Sequence, residues 1–597
     1  MADSDEKTRP DDAEDTKTKA LPHWRLVIDQ AGVTPEVLAY NYQGSGTEQD
    51  PFVVQWIAND PRDPQQWRDS KKWFITLAVS FATLTVSLVS SAYTGGIKEI
   101  IRDFHLSQEV ATLGVSLFVL GFALGPLLWA PLSEIFGRQL LFIGTYAGLT
   151  IFNAACAGAP NGASLLVFRF LAGSFGSSPL TNAGGAIADM FAPQQRGLAM
   201  TLFVAGPSLG PVLGPICGGF LGENASWRWV MGFLAIFAGV MWIGGTILIP
   251  ETYAPTLLRR RAAKLSSMTG KVYTSSIELK QGKVSLRSAI GTSLLRPWIL
   301  LFKEPIVLLL SIYMAIVYGT LYLFFAAFPV VFEQARGWSQ GIEGLAFLGI
   351  AVGMVAALIY TIPDNKRYVL LHQKHNGFAP PEARLPPAII GSFAIPVGLF
   401  WFAWTNSPSI HWIVSIMAGA PFGFGLILMF LSIMNYLVDA YTIFAASVLA
   451  ANSILRSLFG AAFPLFTVQM YDNLGLHWAS SIPAFLALVC VPFPYLFYIY
   501  GARIRTHCKF AAESDAFMQS LKEAQTQQER ELEEQDNSTE DERTVVDEGV
   551  ITSSHRRKSS VHGPSQYMMA TPMTLIEFTP EIHSPSLFRN PTLLSFN

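Results

Sequence analysis

Charge is scarce in this chain: Asp, Glu, Lys and Arg make up 14% of 597 residues, where a soluble domain carries about a quarter. The charges are also segregated, crowding the two ends and one central stretch. A net charge of −3 therefore says little about partners, and no nucleic-acid partner is expected. Of only four cysteines, Cys156, Cys217 and Cys490 fall in apolar segments and Cys508 lies just past the last one, so no disulfide framework is expected. The first 50 or so residues are polar, with Asp11, Asp12, Glu14 and Asp15, and have no early apolar core. No cleaved signal peptide is expected, and the first apolar segment serves as an uncleaved anchor. The sequence has no nucleotide-binding loop, no metal-ligand cluster and no nucleophile triad. The expectation is a protein that is not an enzyme and holds no metal or cofactor.

Apolar residues are abundant, at 51%, and mean hydropathy is +0.34. Runs of about twenty residues, enough to cross about 30 Å of hydrocarbon, recur about twelve times. They fall near 73–95, 109–130, 140–158, 164–187, 198–221, 228–249, 305–330, 342–362, 387–404, 411–437, 443–468 and 481–502. The expected fold is an all-α membrane protein of twelve helices in two six-helix halves, 73–250 and 305–502, joined by a central loop at 251–304. That loop carries Arg259, Arg260, Arg261, Lys264, Lys271, Lys280, Lys283, Arg287 and Arg296, and 363–386 adds Lys366, Arg367, Lys374 and Arg384. The positive-inside rule puts these loops in the cytoplasm, and an even span count puts both termini there too. Residues 1–72 and 503–597 are polar and read as largely disordered cytoplasmic tails. HRRKSS at 555–560 offers Ser559 as a phosphorylation site or is an incidental basic cluster.

One segment stands out. The run GPSLGPVLGPICGG sets Gly206-Pro207, Gly210-Pro211 and Gly214-Pro215, then Gly218, at four-residue spacing, so the glycines share one helix face. Such a face lets a neighbouring helix approach at backbone distance, and a bundle tolerates the prolines where water would not. Shifting the chain by 246 residues lays Ala172-Gly173 on Ala418-Gly419, Ala199 on Ala445 and Gly214 on Gly460 without a gap, which suggests duplicated halves. The same shift puts Asn452 and Arg456 where the first half has Gly206 and Gly210.

Further motifs are PLSEIFGRQ (131–139), FRFLAGSFGSS around Arg169, ADMFAPQQRG (188–197), PETYAPTLL (250–258), YLVDAY (436–441) and NDPRDPQQW before the first span. With the Gly-Pro face they resemble the fungal twelve-spanner drug:proton antiporters of the major facilitator superfamily, a family that includes polyamine exporters. The resemblance covers about 50–505. It implies a monomeric antiporter in the lipid bilayer of the plasma membrane, with the vacuolar membrane as the alternative, that exports small amphipathic molecules by alternating access, driven by protons. It also implies that Glu134, Gly137 and Arg138 form the loop between spans two and three. Gln139 stands where that loop often has a second basic residue, which weakens its charge clamp.

The charged and polar positions then sort by depth. Arg169 and Arg456 lie inside spans, where an arginine costs about 2.5–3.5 kcal/mol to insert, so a place in the substrate or proton pathway is expected; the alternative for Arg169 is capping of backbone carbonyls. Glu134, Gly137, Arg138, Asp189, Arg196 and Asp439 sit at the cytoplasmic edge and read as a gate whose ion pairs hold the halves together, against ordinary loop solvation. Tyr318, Tyr322 and Phe325 share a face, for a drug-sized ligand or for lipid contact. Asn182 and Asn452 are cavity contacts or helix-to-helix hydrogen bonds. No Asp or Glu falls near the centre of a span, which disfavours a polycation and favours neutral or weakly anionic amphipathic substrates. It also leaves Glu333, Asp189 or Glu134 as proton carrier. A non-transporting membrane sensor and a passive nutrient importer are the competing classes; the intact loop motif and the Gly-Pro face speak against them.

Overall fold

The computed structural model describes residues 21–191, 193–282, 286–375 and 378–524, with 526, 527 and 530. Its long helices are α1 (Asp69–Ala92), α2 (Gln108–Phe136), α3 (Arg138–Ala157), α4 (Gly162–Met190), α5 (Pro193–Asn224), α6 (Trp227–Leu248), α7 (Pro305–Phe328), α8 (Leu348–Lys374), α9 (Pro386–Thr405), α10 (Gly419–Ala440), α11 (Ala445–Cys490) and α12 (Pro492–His507). Gly475, with φ 71° and ψ 174°, breaks α11 in two. The pieces fold back on each other, with Tyr471 Oη 2.6 Å from Ser480 Oγ, and the second piece runs on into α12. Ten described stretches are long and apolar enough to cross a membrane. That tally takes 442–507 as one piece and omits α4, whose glycines, serines, Arg169 and Asn182 dilute its apolarity.

The ends of these helices are set by local chemistry. Ser107 caps α2 by accepting from Val110 N, and Asn161 caps α4 by accepting from Ser164 N at 2.8 Å. Gly137, at φ 96°, makes the turn between α2 and α3, a backbone angle that an L side chain resists. The last carbonyls of α2 are taken by loop arginines: Arg259 donates to Ile135 O and Arg260 to Phe136 O at 2.9 Å.

The two halves repeat each other in packing. Helix α5 lies along α1 as α11 lies along α7, and α4 lies against α2 as α10 lies against α8. This is the duplication that the 246-residue shift suggested. One apolar core runs through both halves, with α7 and α10 its largest contributors.

The N-terminal segment differs from the expectation of a disordered tail from residue 1 to 72. Residues 21–68 fold onto the central loop, with strand β1 (Phe52–Val54) paired in parallel with β2 (Tyr273–Ser275). Val37, Tyr42 and Val54 bury against Leu258, Ala262, Leu265 and Ile277. Inside this cap Arg261 and Asp60 form an ion pair at 2.5 Å with both side chains buried. Arg62 donates to the carbonyls of Leu26 and Glu251, each at 3.3 Å, and burial lowers its guanidinium to about 10 against the pull of Glu251. The apolar content that composition averaged away is enough for a small core once the loop helix Ala254–Thr269 supplies the other face. At the other terminus 509–524 are helical rather than disordered; Phe510 N donates to Glu304 Oε1 at 3.0 Å. Ser559 lies outside the described residues.

Candidate transport site

The Gly-Pro helix α5 runs unbroken through Pro207, Pro211 and Pro215. All four spaced glycines face α1. A Cβ at Gly206 would stand 2.6 Å from Ser80 O, one at Gly210 would stand 2.5 Å from Ser87 Cβ, and one at Gly214 or Gly218 would overlap Ser91 or Ala92. The face is therefore filled by a helix at backbone distance, as its spacing implied.

Arg169, fully buried on α4, is a clamp across three helices. Its Nε donates to Gly114 O at 3.0 Å, and its two terminal nitrogens to Val89 O at 3.2 Å and Ser90 O at 3.1 Å. The guanidinium also lies 4.8 Å from the Tyr93 ring centre and 4.3 Å from that of Phe118. Every nitrogen is used, which is the carbonyl-capping geometry, the alternative to a pathway residue.

At mid-bundle Ser90 begins a chain that crosses between the halves. Ser90 Oγ lies 2.9 Å from Tyr322 Oη, and Tyr318 Oη donates to Tyr322 Oη at 3.3 Å. The guanidinium of Arg456 then sits 4.7 Å from the Tyr318 ring centre and 4.9 Å from that of Phe430. Phe325 packs edge-on against Tyr322 at 4.9 Å. With Tyr322 at 0% and Phe325 at 5% exposure, this stripe faces the protein interior and not lipid.

The asparagines behave differently. Asn452 donates to Ser311 Oγ and Met314 Sδ, both at 3.2 Å, a bond between α11 and α7. Asn182 stands apart from the aromatic cluster; it donates to Ser178 Oγ at 3.1 Å and accepts from Arg138 at 3.4 Å, near the loop end.

The end of the bundle that carries the basic loops holds the motif residues. Arg138 pairs with Asp189 at 3.5 Å, donates to Ser133 Oγ at 2.5 Å and lies over Tyr253 at 4.8 Å. Asp189 accepts from Thr252 Oγ1 at 3.2 Å, and Arg196 caps Ala188 O at 3.1 Å. In the second half Asp439 pairs with Arg384 at 2.9 Å and accepts from Tyr368 Oη at 3.2 Å. Each pair closes inside its own half, so these pairs do not hold the halves together as expected. Glu134 is exposed and forms no ion pair among the described residues.

Two sets of contacts were not foreseen from the sequence, although Glu333 is a proton-carrier candidate there. Glu251 of the PETYAPTLL motif is buried and accepts from the backbone nitrogens of Arg138 at 3.0 Å and Gln139 at 3.2 Å, capping α3, and from those of Thr252 and Tyr253. A Cβ at Gly137 would collide with this carboxylate. Gln139, the departure from the family pattern, binds the cap instead of a charge, meeting Gln30 at 2.5 Å and Val27 O at 3.1 Å.

The second group lies at the far end and does join the halves. Lys98 pairs with Glu333 at 2.7 Å, Gln340 donates to Thr94 O at 3.4 Å, and Glu223 accepts from Gly341 N at 2.8 Å. Glu343 is buried within electrostatic range of both Lys98 and Glu333, with one oxygen unpartnered.

Residues 79–464 match the family model described as Major Facilitator Superfamily. The chain belongs to that superfamily. It is 69% identical over 504 residues to the MFS-type efflux pump MFS2 of Trichophyton rubrum, covering 84% of this chain and 85% of the relative. It is 66% identical over 514 residues to the multidrug transporter mdrA of Aspergillus fumigatus, covering 86% and 85%. The efflux pump FUBT of Fusarium oxysporum is 55% identical over 502 residues, covering 84% and 85%. The fold matches that of the proton:xylose symporter XylE bound to 6-bromo-6-deoxy-D-glucose, with a TM-score of 0.52 and 16% identity over 72% of this chain and 97% of that one. This member of the superfamily is a multi-pass membrane protein and an efflux transporter.

Proposed function

We propose that the transporter is a proton-coupled antiporter that exports amphipathic small molecules, drugs or fungal metabolites among them, across the plasma membrane as a monomer with no bound cofactor. Its basic end and both termini face the cytoplasm. The observation that carries this reading is the Lys98–Glu333 pair, an ion pair that ties one half to the other at the end facing outward. Breaking this pair releases Lys98 from Glu333. The closed far end then loses one of its ties, and the population shifts toward the open form. Asp189, held by Arg138 at the opposite end, is the corresponding carboxylate on the cytoplasmic side.

The multidrug and efflux names of the relatives support the substrate class. The central cluster supports it as well, since aromatic rings suit an apolar ligand and no carboxylate faces Arg456 among the described residues to hold a polyamine. The test expresses the chain in a yeast without its own efflux pumps and follows loss of a fluorescent amphipathic dye. Efflux should stop when a protonophore is added, and Glu333→Gln should slow it at least fivefold at equal surface level. Unchanged dye loss under the protonophore would refute proton coupling.

A further inference from the structure

The two arginines set inside the spans, Arg169 and Arg456, are not equivalent. Arg169 has carbonyl partners for all its nitrogens. Arg456, near the middle of the first piece of α11, donates no hydrogen bond to any described residue, and its Nε is buried without a partner. No acid among the described residues compensates it: the titratable groups that face it, Tyr318 and Tyr322, both come from α7, and α10 contributes the ring of Phe430. Intramembrane charges are normally paired or line a polar pathway. This one is partly accessible, and its guanidinium lies between the rings of Tyr318 and Phe430. One turn earlier on the same helix face, the oxygen of Asn452 is also buried without a donor.

We infer that Arg456 is the anion-reading group of the export site, and that the site takes aromatic or aliphatic carboxylates. The guanidinium edge forks onto the carboxylate, the rings of Tyr318 and Phe430 flank the charge, and the apolar body of the ligand lies against the aromatic stripe that continues to Phe325. A hydroxyl or N–H on the ligand would meet the Asn452 oxygen. The duplication explains how the position came to be free. In the first half the corresponding residue is Gly210, pressed against α1, whereas α7 presents the Tyr318 ring to α11 and leaves room for a long side chain.

This inference rests on the export reading but is tested by binding alone. The full chain, purified in detergent, is titrated with pyrenebutyrate and with its primary amide, which differ only in the charged group. Wild type should bind the carboxylate about ten- to a hundredfold more tightly than the amide, the worth of a charge-assisted pair. In Arg456→Gln that ratio should collapse to about one, and Arg456→Lys should restore part of it. The melting temperature of Arg456→Gln should stay within a few degrees of wild type, because no hydrogen bond to protein is lost. Equal affinity for the two probes in wild type, or a ratio that survives Arg456→Gln, would overturn the assignment even if dye export is normal. Failure of the export assay with the ratio intact would instead count against proton-driven export and leave the anion site standing.

Discussion

Replacing Arg169 with methionine separates a clamp from a conduit. The substitution keeps an unbranched apolar stem and removes three hydrogen bonds, to Gly114, Val89 and Ser90, together with two ring contacts. Side-chain hydrogen bonds between membrane helices are worth about 0.6–2 kcal/mol each, and a cation on a ring about 0.5–2 kcal/mol. Even the low ends amount to about 3 kcal/mol, before the cost of leaving three carbonyls without partners. For a large domain that corresponds to a melting temperature lower by on the order of 6 °C. The assay is a thermal melt of the detergent-solubilised protein followed by size-exclusion chromatography, run beside dye efflux at matched surface level. Arg169→Lys, which keeps the charge but cannot fork across three carbonyls, should fall between Met and wild type. A methionine variant that melts with wild type yet transports nothing would refute the clamp and return Arg169 to the transport pathway.

Two further outcomes are expected. Gly210→Leu forces a side chain where a single Cβ already stands 2.5 Å from Ser87 Cβ; overpacking of this kind costs about 1–3 kcal/mol, and dye efflux should fall at least tenfold, so efficient transport would contradict the close α1–α5 contact. Asp60→Asn leaves Arg261 buried without its ion pair, a change worth about 3–5 kcal/mol, and limited proteolysis should then cut within 21–68 while the membrane helices survive; an uncut cap would show that the pair does not hold it.

The parts of this molecule that sequence made legible are those whose signal is local. The Gly-Pro face and the aromatic stripe of α7 each depend on spacing within one helix, whereas the Gly137 turn was implied by the resemblance of its motif. Contacts between distant segments were not legible. Nothing near Arg169 says that Val89 and Ser90 will present carbonyls to it, and Lys98 meets Glu333 only because the two halves close on each other. Asp189 and Arg138 were read as cytoplasmic charges, yet which half a partner belongs to depends on the fold. The cap did leave a trace: Leu258, Ala262 and Leu265 make an apolar stripe at helical spacing inside the basic loop. High local charge masked it.

The cap also bears on how the chain is made. Arg138–Asp189, the Glu251 cap of α3 and the Arg261–Asp60 pair all lie between residues 21 and 281. Every one of these latches can form before α7 has been synthesised. A translating ribosome would thus release a finished first half, sealed on its basic side, as the template on which the second half docks, and α7 and α11 would assemble against a surface already in place.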